Sequence, residues 1–243
     1  LSIAALSIAA LFTALLSGMA GLGGGTILIA LLFATGMAPA LALPLHAGVQ
    51  LAANGSRSLV YVPHIQWSAL GLFLVAAIPG PFLIAPLVVD ANPDWIRLIM
   101  AVFIVLAAWP AWAQRLRMHG RGGLVVAGLI TGVAGPLVGA TGMLAAPFFL
   151  RDEWRKESVI ATMAAAQLCG HALKIAAFSV NGFNVLARLD LLVPMVLAAI
   201  VGTIIGRRLL GLFSEARFRQ LFRAILIVLA LKLAWDGAWG LAG

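Results

Sequence analysis

Residues 17–34 read SGMAGLGGGTILIALLFA and residues 132–149 read GVAGPLVGATGMLAAPFF. In both, glycine interrupts a long apolar run at mid-length: GMAGLGGG at 18–25 within the run 2–36, and GVAGPLVGATG at 132–142 within the run 122–150. Glycine in a helix interior costs about 0.8–1 kcal/mol relative to alanine, so three in succession at Gly23, Gly24 and Gly25 predict a helix that breaks. Unwound backbone at membrane depth is tolerated only where protein buries it or where it lines a water-filled cavity. Both breaks therefore mark a candidate binding site. The alternative is a close helix crossing of the small-xxx-small kind, which explains spaced glycines better than a run of three.

The chain around these breaks has membrane composition. It is 63% hydrophobic over 243 residues and only 10% charged, against roughly 25% charged in a soluble domain, and its mean hydropathy is +1.09. A water-soluble globule is excluded. Arg57 is the only Asp, Glu, Lys or Arg before Asp90. Punctuation by charge, Pro and Gly divides the chain into eight apolar segments near 2–36, 38–62, 67–89, 95–113, 122–150, 156–180, 188–206 and 217–240. All read as helices, because lipid cannot satisfy free backbone groups and barrel-type alternation is missing. The seven Trp residues lie near segment ends, as an interfacial belt does. The first run lacks a basic flank and continues into glycines unlike a cleavage site, so it reads as a membrane segment and not a signal peptide.

The two halves align with each other. At a spacing of 117, Gly25 matches Gly142, Gln50 matches Gln167, Asn54 matches His171, Arg57 matches Lys174 and Tyr61 matches Phe178. Beyond a small insertion, Ala76, Ala77, Ile78 and Gly80 match Ala198, Ala199, Ile200 and Gly202 at 122. The polar matches at one register point to duplication of a four-segment unit, as in many transporters. The expected fold is an all-α polytopic membrane protein: about eight hydrophobic segments in two duplicated, inverted four-segment repeats with broken or re-entrant first helices. The repeats are residues 1–113 and 122–243, joined by a basic cytoplasmic linker at 114–121.

Basic loops set the orientation. Arg115, Arg117 and Arg121; Arg151, Arg155 and Lys156; and Arg207, Arg208, Arg217, Arg219 and Arg223 form three clusters holding eleven of the sixteen basic residues. All three reach the cytoplasmic side if segments one and five enter and return as hairpins, which also inverts the halves. The net charge of +8 is then explained by orientation and anionic lipid, and nucleic acid is not expected as a partner.

Spacings of 4, 4 and 3 put His46, Gln50, Asn54 and Arg57 on one face of the second segment, and Gln167, His171 and Lys174 repeat the 4 and 3 in the sixth. A charge at the centre of a membrane helix costs at least about 2.5–3.5 kcal/mol, and no acidic residue lies nearby in sequence to offset it. Cations and amides without matching carboxylates suit a transported oxyanion. Arg57 would hold it with a planar fork and Lys174 as a point charge, with Gln50, Asn54 and Gln167 as neutral donors. Half-helix N-termini at Thr26 and Met143, beside Gly23, Gly24, Gly25, Thr141 and Gly142, would add backbone N–H groups. His46 and His171 read as hydrogen-bonding core histidines, with proton carriage, and so a coupling proton or ion, as the alternative. The eight acidic residues read as solvated or paired at the surface. Cys169 stands alone, so neither a disulfide within the chain nor a cysteine metal cluster is available, and no cofactor is implied.

At these residues the sequence resembles the sulfite exporter TauE/SafE family, also called the toluenesulfonate uptake permease family. The likeness rests on GLGGG at 21–25, the apolar run to Gly36, the long second segment ending near Tyr61, and a degenerate second copy with Gly139, Gly142, Pro147 and Thr162. It implies a multi-pass carrier of the bacterial inner membrane for sulfite, sulfonates or related sulfur anions. An anion channel built on the same re-entrant pairs is the alternative. An intramembrane enzyme would need a nucleophile with its base or paired carboxylates; GxSxG, HExxH and paired Asp are all missing from the sequence.

Overall fold

In the computed structural model, residues 2–20, 24–109, 115, 118, 120–209 and 215–242 are described. They are helical throughout, joined by short turns, and contain no strand. The first segment forms α1 (Ile3–Ala20) and α2 (Gly24–Ala34). The second forms α3 (Pro39–Val60), and the third forms α4 (Trp67–Ala77) and α5 (Pro79–Asp90), a single apolar stretch kinked by Pro79. The fourth is α6 (Pro93–Ala108), started by Pro93 and by the Asn92 side chain, which accepts from Asp94 N at 2.8 Å. The second half follows with α7 (Gly120–Val138), α8 (Gly142–Phe149), α9 (Lys156–Val180), α10 (Leu189–Leu209) and α11 (Glu215–Ala242).

Among the described residues, five stretches are long and apolar enough to cross a membrane: 67–90, 120–138, 156–180, 185–206 and 220–242. That is fewer than the eight segments expected, for local reasons. The first segment is divided into two short helices, α6 has 16 residues, and α3, with 22, carries the polar stripe that lowers its hydropathy. Large apolar side chains such as Ile8, Val75, Leu83, Leu197 and Val228 stand exposed around the outside, as a lipid-facing surface requires.

Both broken segments are helical hairpins. A Cβ added to Gly24 would lie 2.4 Å from Thr13 O, so α2 folds back along α1 instead of extending it. In the second half, Arg151 donates to the carbonyl of Gly120, which brings the end of α8 back to the start of α7. The break there is narrower than the sequence suggests. α7 stays helical through Gly132, Gly135 and Pro136 to Val138, and only residues 139–141 leave the helix, with Gly139 at φ +74°, a left-handed value that closes helices at little cost only in glycine. In the first half Gly24 and Gly25 are helical, in the first turn of α2; Gly21, Leu22 and Gly23 lie outside the described residues, as does most of the 114–121 linker. The half-helices begin at Gly24 and Gly142, one or two residues before Thr26 and Met143.

The glycines of the second break thus do two different jobs. Gly132, with Gly128 one turn before it, lets α7 cross α4 and α5 at backbone contact, where an added Cβ would stand 2.6 Å from Ala77 O and, at Gly128, 2.3 Å from Phe73 O. Gly202 and Gly206 do the same for α10 against α1, each 2.2 Å from the carbonyls of Leu11 and Leu15. Small-xxx-small crossing, the reading set aside from sequence, is correct for Gly128 and Gly132. Each hairpin's longer helix thereby packs, in parallel, on a helix of the other half. α3 and α9 pair antiparallel, with His46 against His171 and Gln66, just past α3, bonded to Ser158 and Thr162. α6 and α11 pair antiparallel as well: Gly237 lies on Asp94, and Arg223 Nε donates to Ala108 O at 3.3 Å.

Candidate functional site

The duplicated positions meet in the interior. Thr26 Oγ1 approaches Met143 Sδ at 3.8 Å, so the starts of α2 and α8 touch through residues 117 apart. Within each half the hairpin glycine faces the glutamine of the following stripe: Gly25 lies against Gln50, and Gly142 against Gln167. His46 is fully buried, donates from Nε2 to Gly25 O at 3.0 Å, and lies edge-on to His171 with ring centroids 5.7 Å apart. Two antiparallel polar stripes therefore run past two hairpin tips in a shell of Leu, Ile, Ala and Phe.

A narrow cleft opens beside the second tip. Pro81, Thr131, Gly135, Pro136, Thr141, Gln167, Gly170, His171 and Lys174 enclose about 10 Å³, room for about one water molecule. Three buried polar atoms on its wall, Thr131 Oγ1, Gln167 Nε2 and His171 Nδ1, have no hydrogen-bond partner among the described residues. Buried polar atoms are nearly always bonded, so three around one cleft leave it able to hold a further hydrogen-bonding group, a water or a small polar ligand. Lys174, 3% exposed, donates to Gly139 O where α7 ends. There the carbonyl end of one helix meets the amide end of the next, with Lys174 against the negative pole of the first.

A family comparison agrees with the chemistry of this cleft: the sulfite exporter TauE/SafE family model matches residues 6–233. The chain belongs to the TauE/SafE sulfite exporter family. No curated protein and no solved structure matches it. Membership makes it a multi-pass membrane transporter with a small anionic substrate, which agrees with the apolar helices already described.

The TauE/SafE chain uses the residues singled out from its sequence unequally. Gln167, His171, Lys174 and Thr141 line the cleft, with Gly142 against Gln167 and Met143 one residue into α8. Gln50, Asn54 and Arg57 do not line it. The Asn54 amide donates to Gln50 O on its own helix at 2.9 Å, and Arg57 is half-buried in the last turn of α3. Gly24, Gly25 and Thr26 are buried or half-buried at the first tip, and Gly23 lies outside the described residues. Among the described residues, no acidic side chain lines the cleft. Asp94, Asp190, Glu153, Glu157 and Asp236 pair instead with Arg97, Arg188, Arg151, Arg155 and Lys232 within four residues. Thr131 was not singled out, although it is the only hydroxyl, amide or charged side chain from 122 to 140. That isolation was the available signal.

Proposed function

We propose that this chain is a secondary carrier that exports small sulfur-containing oxyanions, sulfite or organosulfonates, by alternating access between two inverted halves. The observation that carries the reading is Lys174: a lysine buried at a break between two half-helices, beside unpartnered polar atoms, in a cleft without a carboxylate. A buried cation that lacks an acidic partner is offset by an anion that comes and goes. Family membership supplies the substrate class. A cleft with space for about one water is closed around its ligand groups, which favours a carrier that must open over a channel with a continuous polar lining. In liposomes reconstituted with the purified protein, sulfite flux is expected to saturate with concentration. Flux linear in sulfite would replace the carrier by a channel, and no flux of sulfite, thiosulfate, sulfoacetate or taurine would remove the reading.

The repeats proposed are residues 1–113 and 122–243. Antiparallel pairing of α3 with α9 and of α6 with α11, together with the reciprocal packing of each hairpin on the other half, supports the inversion. The contact of Arg151 with Gly120 brings Arg121 and the 151–156 cluster to one end of the bundle, which supports reading that end as cytoplasmic under the positive-inside rule. Single cysteines at Arg117 and Arg217, in a Cys169→Ser background, are expected to react with an impermeant thiol reagent from one face, and a cysteine at Arg188 from the other. Opposite labelling of the first two would overturn the inversion.

A further inference from the structure

The two halves carry the same stripe, and among the described residues the cleft lies beside the second copy, lined by Gln167, His171 and Lys174 and by none of Gln50, Asn54 and Arg57. In the first, Gln50 closes directly onto Gly25: a Cβ there would meet its Nε2 at 2.8 Å, against 3.7 Å from Gly142 to the nearest Gln167 atom. Asn54, at the position of His171, turns its amide to its own helix. The unpartnered Nδ1 of His46 is no anion ligand, because Nε2 already donates to Gly25 O and the neutral ring then carries a lone pair at Nδ1. At the spacing of 117, Ala14 stands where the second copy has Thr131, and the neighbouring hydroxyl of Thr13 is spent on Ala9 O at 2.8 Å.

Thr13 and Thr203 within helices, and Thr35 just past α2, each donate to a carbonyl three or four residues back, the usual way a threonine satisfies itself in an apolar helix. Thr26 meets Met143 Sδ, and Thr162 accepts from Gln66 N; Thr131 has neither kind of partner among the described residues. Thr131 is 5% exposed, lines the cleft opposite Gln167 and Lys174, and leaves its hydroxyl unbonded. We propose that the chain binds a single oxyanion, in the second repeat only, and that the Thr131 hydroxyl is one of its ligands together with Gln167 Nε2 and Lys174 Nζ. The duplicated site has become asymmetric: the first copy closes and supports the hairpin tips, and the second keeps its donors for the passenger.

This inference rests on the oxyanion reading above, and the experiment separates the two. Sulfite, thiosulfate, sulfate, sulfoacetate and taurine are titrated calorimetrically into the purified full chain, and into Thr131→Val and Thr131→Ser. Valine keeps the shape and removes the hydroxyl; serine restores it. One anion is expected per chain. Thr131→Val is expected to weaken binding of the preferred anion by about tenfold or more, the usual effect of losing a hydrogen bond to a charged group, while Thr131→Ser stays within about threefold of the parent. Unfolding temperatures measured without anion control for folding, and a Thr131→Val chain that is destabilised is judged on the serine variant and the stoichiometry. Two anions per chain, equal affinity in Thr131→Val, or a Thr131→Ser as weak as valine overturns the inference and leaves the carrier standing. A parent chain that binds none of the five anions overturns both.

Discussion

Lys174→Ala is expected to abolish measurable binding and flux of the proposed sulfur oxyanion while the protein still inserts. The side chain is 3% exposed and lines the cleft, so its charge is far from bulk water and depends on the few polar groups around it. Removing one member of a buried, hydrogen-bonded charge pair costs about 2–5 kcal/mol, roughly thirtyfold to several thousandfold in Kd. Folding suffers less: the one hydrogen bond lost is to Gly139 O at the end of α7, worth about 1–3 kcal/mol. Lys174→Met, which keeps most of the volume, separates the two effects; it retains the folded yield of the parent and is as deficient in binding as alanine. Arg57→Ala is the comparison. Arg57 does not line the cleft, so its loss weakens binding at least tenfold less than the loss of Lys174. Equal loss at both positions, measured by the same titration, would return Arg57 to the site as a direct ligand.

What the sequence made legible follows from where polarity is costly. In an apolar helix every amide, imidazole or cation stands out, so the stripes at 46–57 and 167–174 were readable, and the 117-residue register joined Thr26 to Met143 before any contact was known. Glycine was more ambiguous, because unwinding and close crossing both need a residue without a side chain. Gly132 and Gly139 lie in one motif, yet the first faces Ala77 O in a continuous helix and the second bends at φ +74° beside Ile29. The partner that decides between these uses belongs to another segment and is invisible to local spacing. Thr131 escaped for a related reason. A threonine in a membrane helix ordinarily bonds its own backbone, and only the three-dimensional position reveals one that does not. That Lys174 lines the cleft and Arg57 does not was hidden too, since the register that matched them does not say which copy borders a cavity.

The same crossings give the second large effect. Gly202→Val or Gly132→Val is expected to eliminate folded protein, whereas Gly71→Ala is expected to be neutral or stabilising. At Gly202 an added Cβ would stand 2.2 Å from Leu11 O, and at Gly132 2.6 Å from Ala77 O; each obstacle is a helix backbone that cannot rotate away. Ordinary overpacking costs about 1–3 kcal/mol because side chains absorb part of it, and here α1 must part from α10, or α7 from α4 and α5. These two contacts bind each hairpin to the opposite half, so separating either also displaces a tip from the interior where Thr26 meets Met143. Gly71 has nothing within 4 Å of its added Cβ and sits inside α4, where alanine is favoured by about 0.8–1 kcal/mol. Monodispersity and unfolding temperature of the three variants in detergent read the contrast directly. If Gly132→Val and Gly202→Val were as stable as the parent, the helices would cross with slack, and the hairpins would then be free to move without the rest of the bundle.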